Sequence, residues 1–251
     1  MIDEADDVVV TDKRDGYVLF WRLRNLWNET KPRCRFLFAG YQTLAAAVDE
    51  YDAPFFNFAT PLFVGSLEPE AAESLITDPL SEDLDITFSD ETLIREIADR
   101  VNRHPSLIHH FCSLLVEYLK NEAGRNVVQQ GDIQAILAHP QYRERVLSVF
   151  WQKSLSTLQR LIASVMATSG QDLWTPEDLQ MQLKAYDLEL PKEQVAVCLE
   201  GMVIAGLCSK SPQALTAVGA KSYRFAHDLI GQHLQSMQLT GALVEQVKKG
   251  G

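Results

Sequence analysis

Apolar positions change their rhythm near residue 89 of this chain. Before it they come as short continuous bursts between turn-forming residues; after it they recur every three or four positions, the spacing of one helix face. Arg35-Phe36-Leu37-Phe38-Ala39-Gly40 predicts a short strand ending at the glycine, of the kind buried on both faces in a parallel sheet. Pro61-Leu62-Phe63-Val64-Gly65 predicts a second strand. Helices are expected around Leu19 to Trp27, from about Thr43 to Glu50, and after Glu68-Pro69-Glu70, where proline and acids suit a first turn. A Pro- and Phe-rich loop covers Ala53 to Phe58. Strand, helix, strand, helix is α/β ordering.

From Ser89, a predicted N-cap, the pattern is helical only. Leu93, Ile94, Ile97, Ala98 and Val101 form one stripe. Pro105 opens the next helix, with Leu107, Ile108, Phe111, Leu115, Tyr118 and Leu119 on its inner face, and a shorter helix near Gln130 to Leu137 ends at the His139-Pro140 break. The last section reads helix, helix, helix, hairpin, helix. Leu155, Leu158, Leu161, Ile162 and Val165 line the first helix, Thr175-Pro176-Glu177-Asp178 caps the second, and Pro191-Lys192-Glu193 starts the third. Leu207 to Lys210 and Ser222 to Phe225 are expected to pair around a loop from Ser211 to Gly219, followed by a helix from about Ala226 to Met237 and a flexible tail. The domains expected are therefore 1–80, 81–145 and 146–240, with 241–251 as the tail.

Charge changes the picture in one respect. The net charge is −11, but residues 1–100 carry 21 acidic and 9 basic side chains, against 13 and 14 in the remainder. The negative field of the first part repels nucleic-acid phosphate and anionic membrane, so a DNA contact would have to come from the near-neutral C-terminal part. No apolar run approaches the roughly 20 residues of a membrane span, no signal peptide opens the chain, and a cytoplasmic protein is expected. Cys34, Cys112, Cys198 and Cys208 are scattered without metal-site spacing and are expected to be reduced thiols.

Four segments carry a resemblance. Ile2-Asp3-Glu4-Ala5-Asp6, Phe36-Leu37-Phe38-Ala39-Gly40-Tyr41-Gln42, the run from Pro54 through Asp78-Pro79-Leu80, and Asn102-Arg103-His104-Pro105-Ser106-Leu107-Ile108 follow in an order that resembles the C-terminal half of STAND/AAA-type ATPases. The resemblance implies a Walker B strand delivering Asp3 to a magnesium ion and Glu4 to the attacking water, with Gln42 or Tyr41 as the γ-phosphate sensor. It implies a helical lid with Pro105 against the nucleotide base and with Arg103 and His104 within reach of phosphate. Arg103 stands where the family most often has glycine, which puts the backbone approach there in question. A winged-helix domain would follow, closed by Tyr223-Arg224-Phe225-Ala226-His227-Asp228, with His227 approaching the nucleotide in a resting state.

One family element is not in the sequence. There is no G-x-x-x-x-G-K-[ST] run to cradle phosphates, and the glycines before residue 100 are Gly16, Gly40 and Gly65. The expectation is a C-terminal piece of a longer protein, since Met1 falls inside what would be a strand, or else a chain that has lost nucleotide binding. The expected fold is mainly α with a partial α/β portion: a truncated ATPase core, a helical lid and a winged helix. The expected function is a segment of a regulatory nucleotide switch whose cofactors, ATP and Mg²⁺, serve the full-length protein and bind this chain only weakly. The expected partners are a P-loop portion or another protein, with a homo-oligomer as output. The alternative is a non-catalytic winged-helix adaptor or transcription regulator with a degenerate ATPase remnant. DNA binding is disfavoured, because the third helix of the last section offers Lys192 among Glu193, Gln194 and Glu200, leaving Lys210, Lys221 and Arg224 on the hairpin.

Overall fold

In the computed structural model, which describes residues 1–30, 33–151, 155–211 and 221–249, the chain forms two compact units, Met1–Val64 and Gly65–Gly251. The architecture is mostly helical with small sheets.

The first unit holds α1 (Ala5–Arg14), α2 (Val18–Thr30) and α3 (Gln42–Asp49). Before α1, Ile2 pairs in parallel with Phe38: its N–H donates to the Leu37 carbonyl at 2.8 Å and its carbonyl accepts from Ala39 N–H at 2.9 Å. The expected strand Arg35–Gly40 is thus reduced to one bridging residue in an otherwise extended stretch. α1 ends on Lys13 and Arg14, cations that suit the carbonyl end of a helix dipole. The carboxylate of Asp12, nearly buried, then accepts from the N–H groups of Leu19 (2.9 Å) and Phe20 (3.0 Å), satisfying donors that the first turn of α2 leaves orphaned. Phe20 is the anchor of this unit, packed against Phe38 and Phe55 at ring distances of 5.5 and 4.5 Å. The second predicted strand does not form. Residues 61–64 pair with no strand among the described residues, and Leu62, Phe63 and Val64 stand exposed; an apolar burst becomes a strand only where a neighbouring strand accepts its backbone.

In the second unit, α4 (Pro69–Ser81), which the sequence grouped with the first section, packs on α5 (Thr92–Arg100) and α6 (Pro105–Tyr118). The predicted cap Ser89 instead lies beyond β1 (Thr87–Phe88), and the carboxylate of Asp90 binds Thr92 N–H at 2.8 Å and its hydroxyl at 2.7 Å to open α5. A π-helical turn, Leu119–Ala123, leads to β2 (Val127–Val128), parallel to β1. Buried Asp132 ties α7 (Gln130–Ala138) to the chain before it, both its oxygens accepting from Arg125 Nη2 and one from Gln129 N–H. α8 (Pro140–Phe150) follows at once, Pro140 in its first turn.

The remaining elements are α9 (Thr157–Thr168), α10 (Pro176–Lys184), α11 (Lys192–Ile204), the antiparallel pair β3 (Cys208–Lys210) and β4 (Tyr223–Phe225), α12 (Asp228–Met237) and α13 (Thr240–Lys248). Reciprocal capping boxes begin α9 (Ser156 with Gln159) and α10 (Thr175 with Asp178). Trp174 bridges to Tyr223 and adds a single paired residue on the other side of β4. Most of the hairpin loop expected at Ser211 to Gly219 lies outside the described residues. The segment expected as a flexible tail is α13: Leu243 and Val244 are buried, and Thr240 and Ser164 share a buried hydroxyl contact of 2.7 Å with α9. Its apolar positions at i and i+1 of a nine-residue helix are too few for periodicity to reveal. No helix of the described residues is long and apolar enough to cross a membrane.

Candidate functional site

In the first unit the parallel pairing of Ile2 with Phe38 sends both stretches in the same direction, so the residues after each of them emerge side by side. Asp3 and Glu4 follow one, and Tyr41 and Gln42 the other. The carboxyl ends of parallel strands are where open α/β sheets bind ligands. Asp3 and Glu4 are exposed, and Glu4 adopts a left-handed backbone (φ 50°) while its N–H donates to the Asp3 carboxylate at 3.0 Å. Tyr41 is exposed, and Gln42, half-buried, is the first residue of α3.

The residue holding the two stretches together is Asp6. Its carboxylate accepts from the N–H groups of Tyr41 (2.5 Å), Thr43 (2.9 Å) and Leu44 (3.2 Å), capping α3 from a different element. Gly40 is needed for this approach: a β-carbon there would collide with the Asp6 carboxylate and press on Leu44. The sequence reading named the first two acids and passed over the third, because a cap supplied from 35 residues away leaves no local signal. No group of three His, Cys, Asp or Glu side chains among the described residues could chelate a metal. Magnesium keeps several waters and is held by one or two carboxylates together with substrate phosphates, so Asp3 fits as one such ligand and the phosphates would complete the shell.

The second unit contains the other predicted residues. α5 closes in a Schellman motif, with Arg103 N–H bonded to the Ala98 carbonyl (2.8 Å) and Asn102 N–H to that of Asp99 (3.0 Å). Both Asn102 (φ 52°) and Arg103 (φ 50°) are left-handed, so Arg103 takes a backbone shape that favours the glycine found there in the resembled family. The Arg103 carbonyl then accepts from Leu67 N–H, and its side chain, with no hydrogen-bond partner among the described residues, borders a cleft of about 400 Å³ lined by Pro69, Glu70, Glu73, Arg95 and Asp99. His104 precedes Pro105, which takes the first position of α6. The His104 ring meets Phe150 edge-on at 5.5 Å, and its buried Nδ1 has no partner among the described residues. Burial lowers the His104 pKa, and the positive charge of Arg145, itself bound to Ser106 Oγ at 2.7 Å, lowers it further.

His227 is buried at the start of α12. Its Nδ1 accepts from Leu229 N–H (3.3 Å), so in the neutral ring the proton sits on Nε2, which faces Tyr142 Oη at 3.3 Å. Burial, helped by the Arg100 guanidinium and opposed by Asp228, pushes its pKa down to about 4. Tyr142 in turn packs edge-on against Phe111 of α6 at 5.7 Å. A chain of contacts therefore runs from the helix that Pro105 opens, through Phe111 and Tyr142, to His227. Sequence reasoning missed Tyr142, Arg145 and Arg100; an aromatic at a buried helix position is indistinguishable from ordinary core until its partner is known.

No protein-family model matches this chain, and no curated protein matches it. Among solved structures, a Walker-type ATPase of Pyrococcus abyssi is similar, with a TM-score of 0.60 at 16% identity over 93% of this chain. The fold is ATPase-like. The match spans 61% of the length of that ATPase.

Proposed function

We propose that this chain is the segment of a regulatory nucleotide-switch ATPase that runs from the Walker B strand through a helical lid to a winged helix, α9 to α12 with their hairpin. The observation that carries the reading is the parallel pairing of Ile2 with Phe38, which sets Asp3 and Glu4 beside Tyr41 and Gln42 in an ATPase-like fold. In this reading Asp3 binds magnesium, whose charge offsets that of the phosphates; Glu4 orients and polarises the attacking water, and Gln42 or Tyr41 registers the γ-phosphate. The phosphate-binding loop comes from a P-loop portion outside this sequence or from a partner protein. Pro105 flanks the base, Arg103 reaches toward phosphate, and the contact chain to His227 lets the winged helix sense the lid.

The charges of the last section favour a clamp over a DNA reader. Glu200 takes ion pairs from both Lys210 (2.7 Å) and Lys221 (3.1 Å) and a hydrogen bond from Tyr223, while Lys192 is paired with Glu177. Cations already neutralised within the fold have little left for phosphate.

Calorimetric titration of the chain with ATP and magnesium tests the reading: affinity no tighter than about millimolar is expected, because the amides and lysine of a phosphate loop are not in the sequence. Micromolar binding contradicts it. In a polypeptide that includes the loop, Glu4→Gln is expected to lower hydrolysis at least about a hundredfold while leaving nucleotide affinity within a few-fold; unchanged turnover removes Glu4 from the site.

A further inference from the structure

Gln42 lies between two backbone groups that one carboxylate holds. Asp6 Oδ2 accepts from Tyr41 N–H at 2.5 Å, and Oδ1 accepts from Thr43 N–H at 2.9 Å and from Leu44 N–H at 3.2 Å. The two oxygens serve different ends. Thr43 and Leu44 are the second and third residues of α3, the donors that an N-cap side chain ordinarily satisfies, and Tyr41, in the cap position, makes no such bond with its own side chain. The Tyr41 bond falls before the helix, on the link between α3 and the extended stretch. Ala5 acts on the same link, its N–H donating to the Ala39 carbonyl at 2.8 Å. The first two residues of α1 therefore grip the chain at positions 39 and 41, on either side of Gly40, where a side chain would collide with the carboxylate.

We propose that Asp6 is a positioning residue for hydrolysis: its bond to Tyr41 sets Tyr41 and Gln42 against Glu4, so that it governs turnover and not nucleotide affinity. The proposal rests on the nucleotide reading of the same site. Asp6 acts through others, since both of its oxygens are taken up by backbone N–H groups. In that reading Glu4 orients the attacking water while Tyr41 or Gln42 meets the phosphoryl group under attack. A misplacement of about 1 Å between such groups costs on the order of a hundredfold in rate. Affinity comes mainly from the amides and lysine of a phosphate loop, a separate element.

Asp6→Asn separates the two oxygens. Asparagine caps a helix about as well as aspartate, keeping Oδ1 toward Thr43 and Leu44, but it sets an NH2 group against Tyr41 N–H, and two donors make no bond. In the chain itself, amide exchange at Tyr41 is expected to quicken at least about tenfold while Thr43 and Leu44 stay within a few-fold. Unchanged exchange at Tyr41 overturns the proposal. In a polypeptide that includes the phosphate loop, Asp6→Asn is expected to lower kcat about 10- to 100-fold with KM for ATP within about threefold. A purely structural Asp6 predicts unchanged kcat wherever Thr43 and Leu44 keep their protection, and a raised KM at unchanged kcat also overturns the proposal. Glu4→Gln tells the two failures apart. If it is impaired while Asp6→Asn turns over at the parent rate, the positioning role falls and the nucleotide reading stands; if Glu4→Gln itself turns over at the parent rate, both fall.

Discussion

The two units use apolar residues in opposite ways. Met1–Val64 is about a quarter of the chain, yet among the described residues it holds twelve of the eighteen exposed large apolar side chains and six of the forty-six that form buried clusters. Gly65–Gly251 buries the other forty in one continuous cluster that runs from α4 to α13. The first unit is the richer in apolar residues, 34 of 64 against 82 of 187, yet it forms only a small core around Phe20 with apolar groups left at its surface, whereas the second forms a large helical body. Units of this smaller size bury too little to be robust alone. The difference lies in how many apolar side chains each unit gathers into a core, not in how many it carries.

The largest effect expected is in the larger core. Phe111 is fully buried and holds Tyr142, and Phe111→Ala should cost about 3–5 kcal/mol, read as a shift of the urea midpoint at unchanged slope. Phe20→Ala removes a ring of the same size from a core of six, and there the expected result is loss of slow amide exchange throughout α1 to α3. If both variants merely lower the midpoint by similar amounts and the exchange pattern of α1 to α3 survives, the contrast between the units is wrong.

Next comes pH. The folded-state pKa of His227 is about 4, below the ordinary value of 6.5, so between those values the unfolded chain binds more protons than the folded one. The stabilisation from burying a neutral His227 is complete above about pH 6.5 and is lost as pH falls toward 4, on the order of 3 kcal/mol across the window. His104 shifts in the same direction. His227→Asn keeps a capping oxygen and removes the titration. Urea midpoints of the wild type and this variant should therefore converge as pH falls from 7 to 4; parallel curves mean that His227 is solvated.

In the first unit, Gly40→Ala forces the Asp6 carboxylate away from α3 and should cost about 1–2 kcal/mol, the range for loss of an N-cap. Asp6→Ala should cost about the same, and the double variant little more than either, because both act on one cap. Additive losses would separate the glycine from the cap.

Local signals carried much of this architecture. The cap at Thr175, the prolines opening α4, α6 and α10, and the stripes of α5 and α6 were legible because their causes lie within four residues of their effects. What the sequence concealed depends on distant partners. The burst at Leu62 to Val64 reads as a strand in isolation, but a strand exists only through its neighbour; Asp6 reads as one acid among several until Tyr41 and Thr43 are set above it. At the candidate site the order of Asp3, Glu4, Tyr41 and Gln42 was visible, and the pairing that sets them side by side was not, since register across 35 residues leaves no periodic trace. His227 was visible as a residue type at a strand-to-helix corner, whereas its burial against Tyr142 follows from packing between α8 and α12.

The smallest effect separates backbone from side chain at the end of α5. Arg103 holds φ 50° immediately after Asn102 at φ 52°, and an L-residue in that region costs about 1–2 kcal/mol that glycine does not incur. Glycine gives back roughly 0.5–1 kcal/mol through the greater freedom of its unfolded chain. Arg103→Gly should therefore stabilise the second unit by up to about 1 kcal/mol, while Arg103→Ala, which keeps the strained backbone and removes the guanidinium, should leave stability nearly unchanged. A polypeptide that includes the phosphate loop supplies the functional half of the comparison. If the guanidinium reaches phosphate, both variants weaken nucleotide binding alike despite their different stabilities; if only the backbone shape matters there, the glycine variant binds as the parent does. Stabilisation by alanine equal to that by glycine would mean that the left-handed conformation carries no strain, and that the arginine stands where glycine does in the resembled family at no cost.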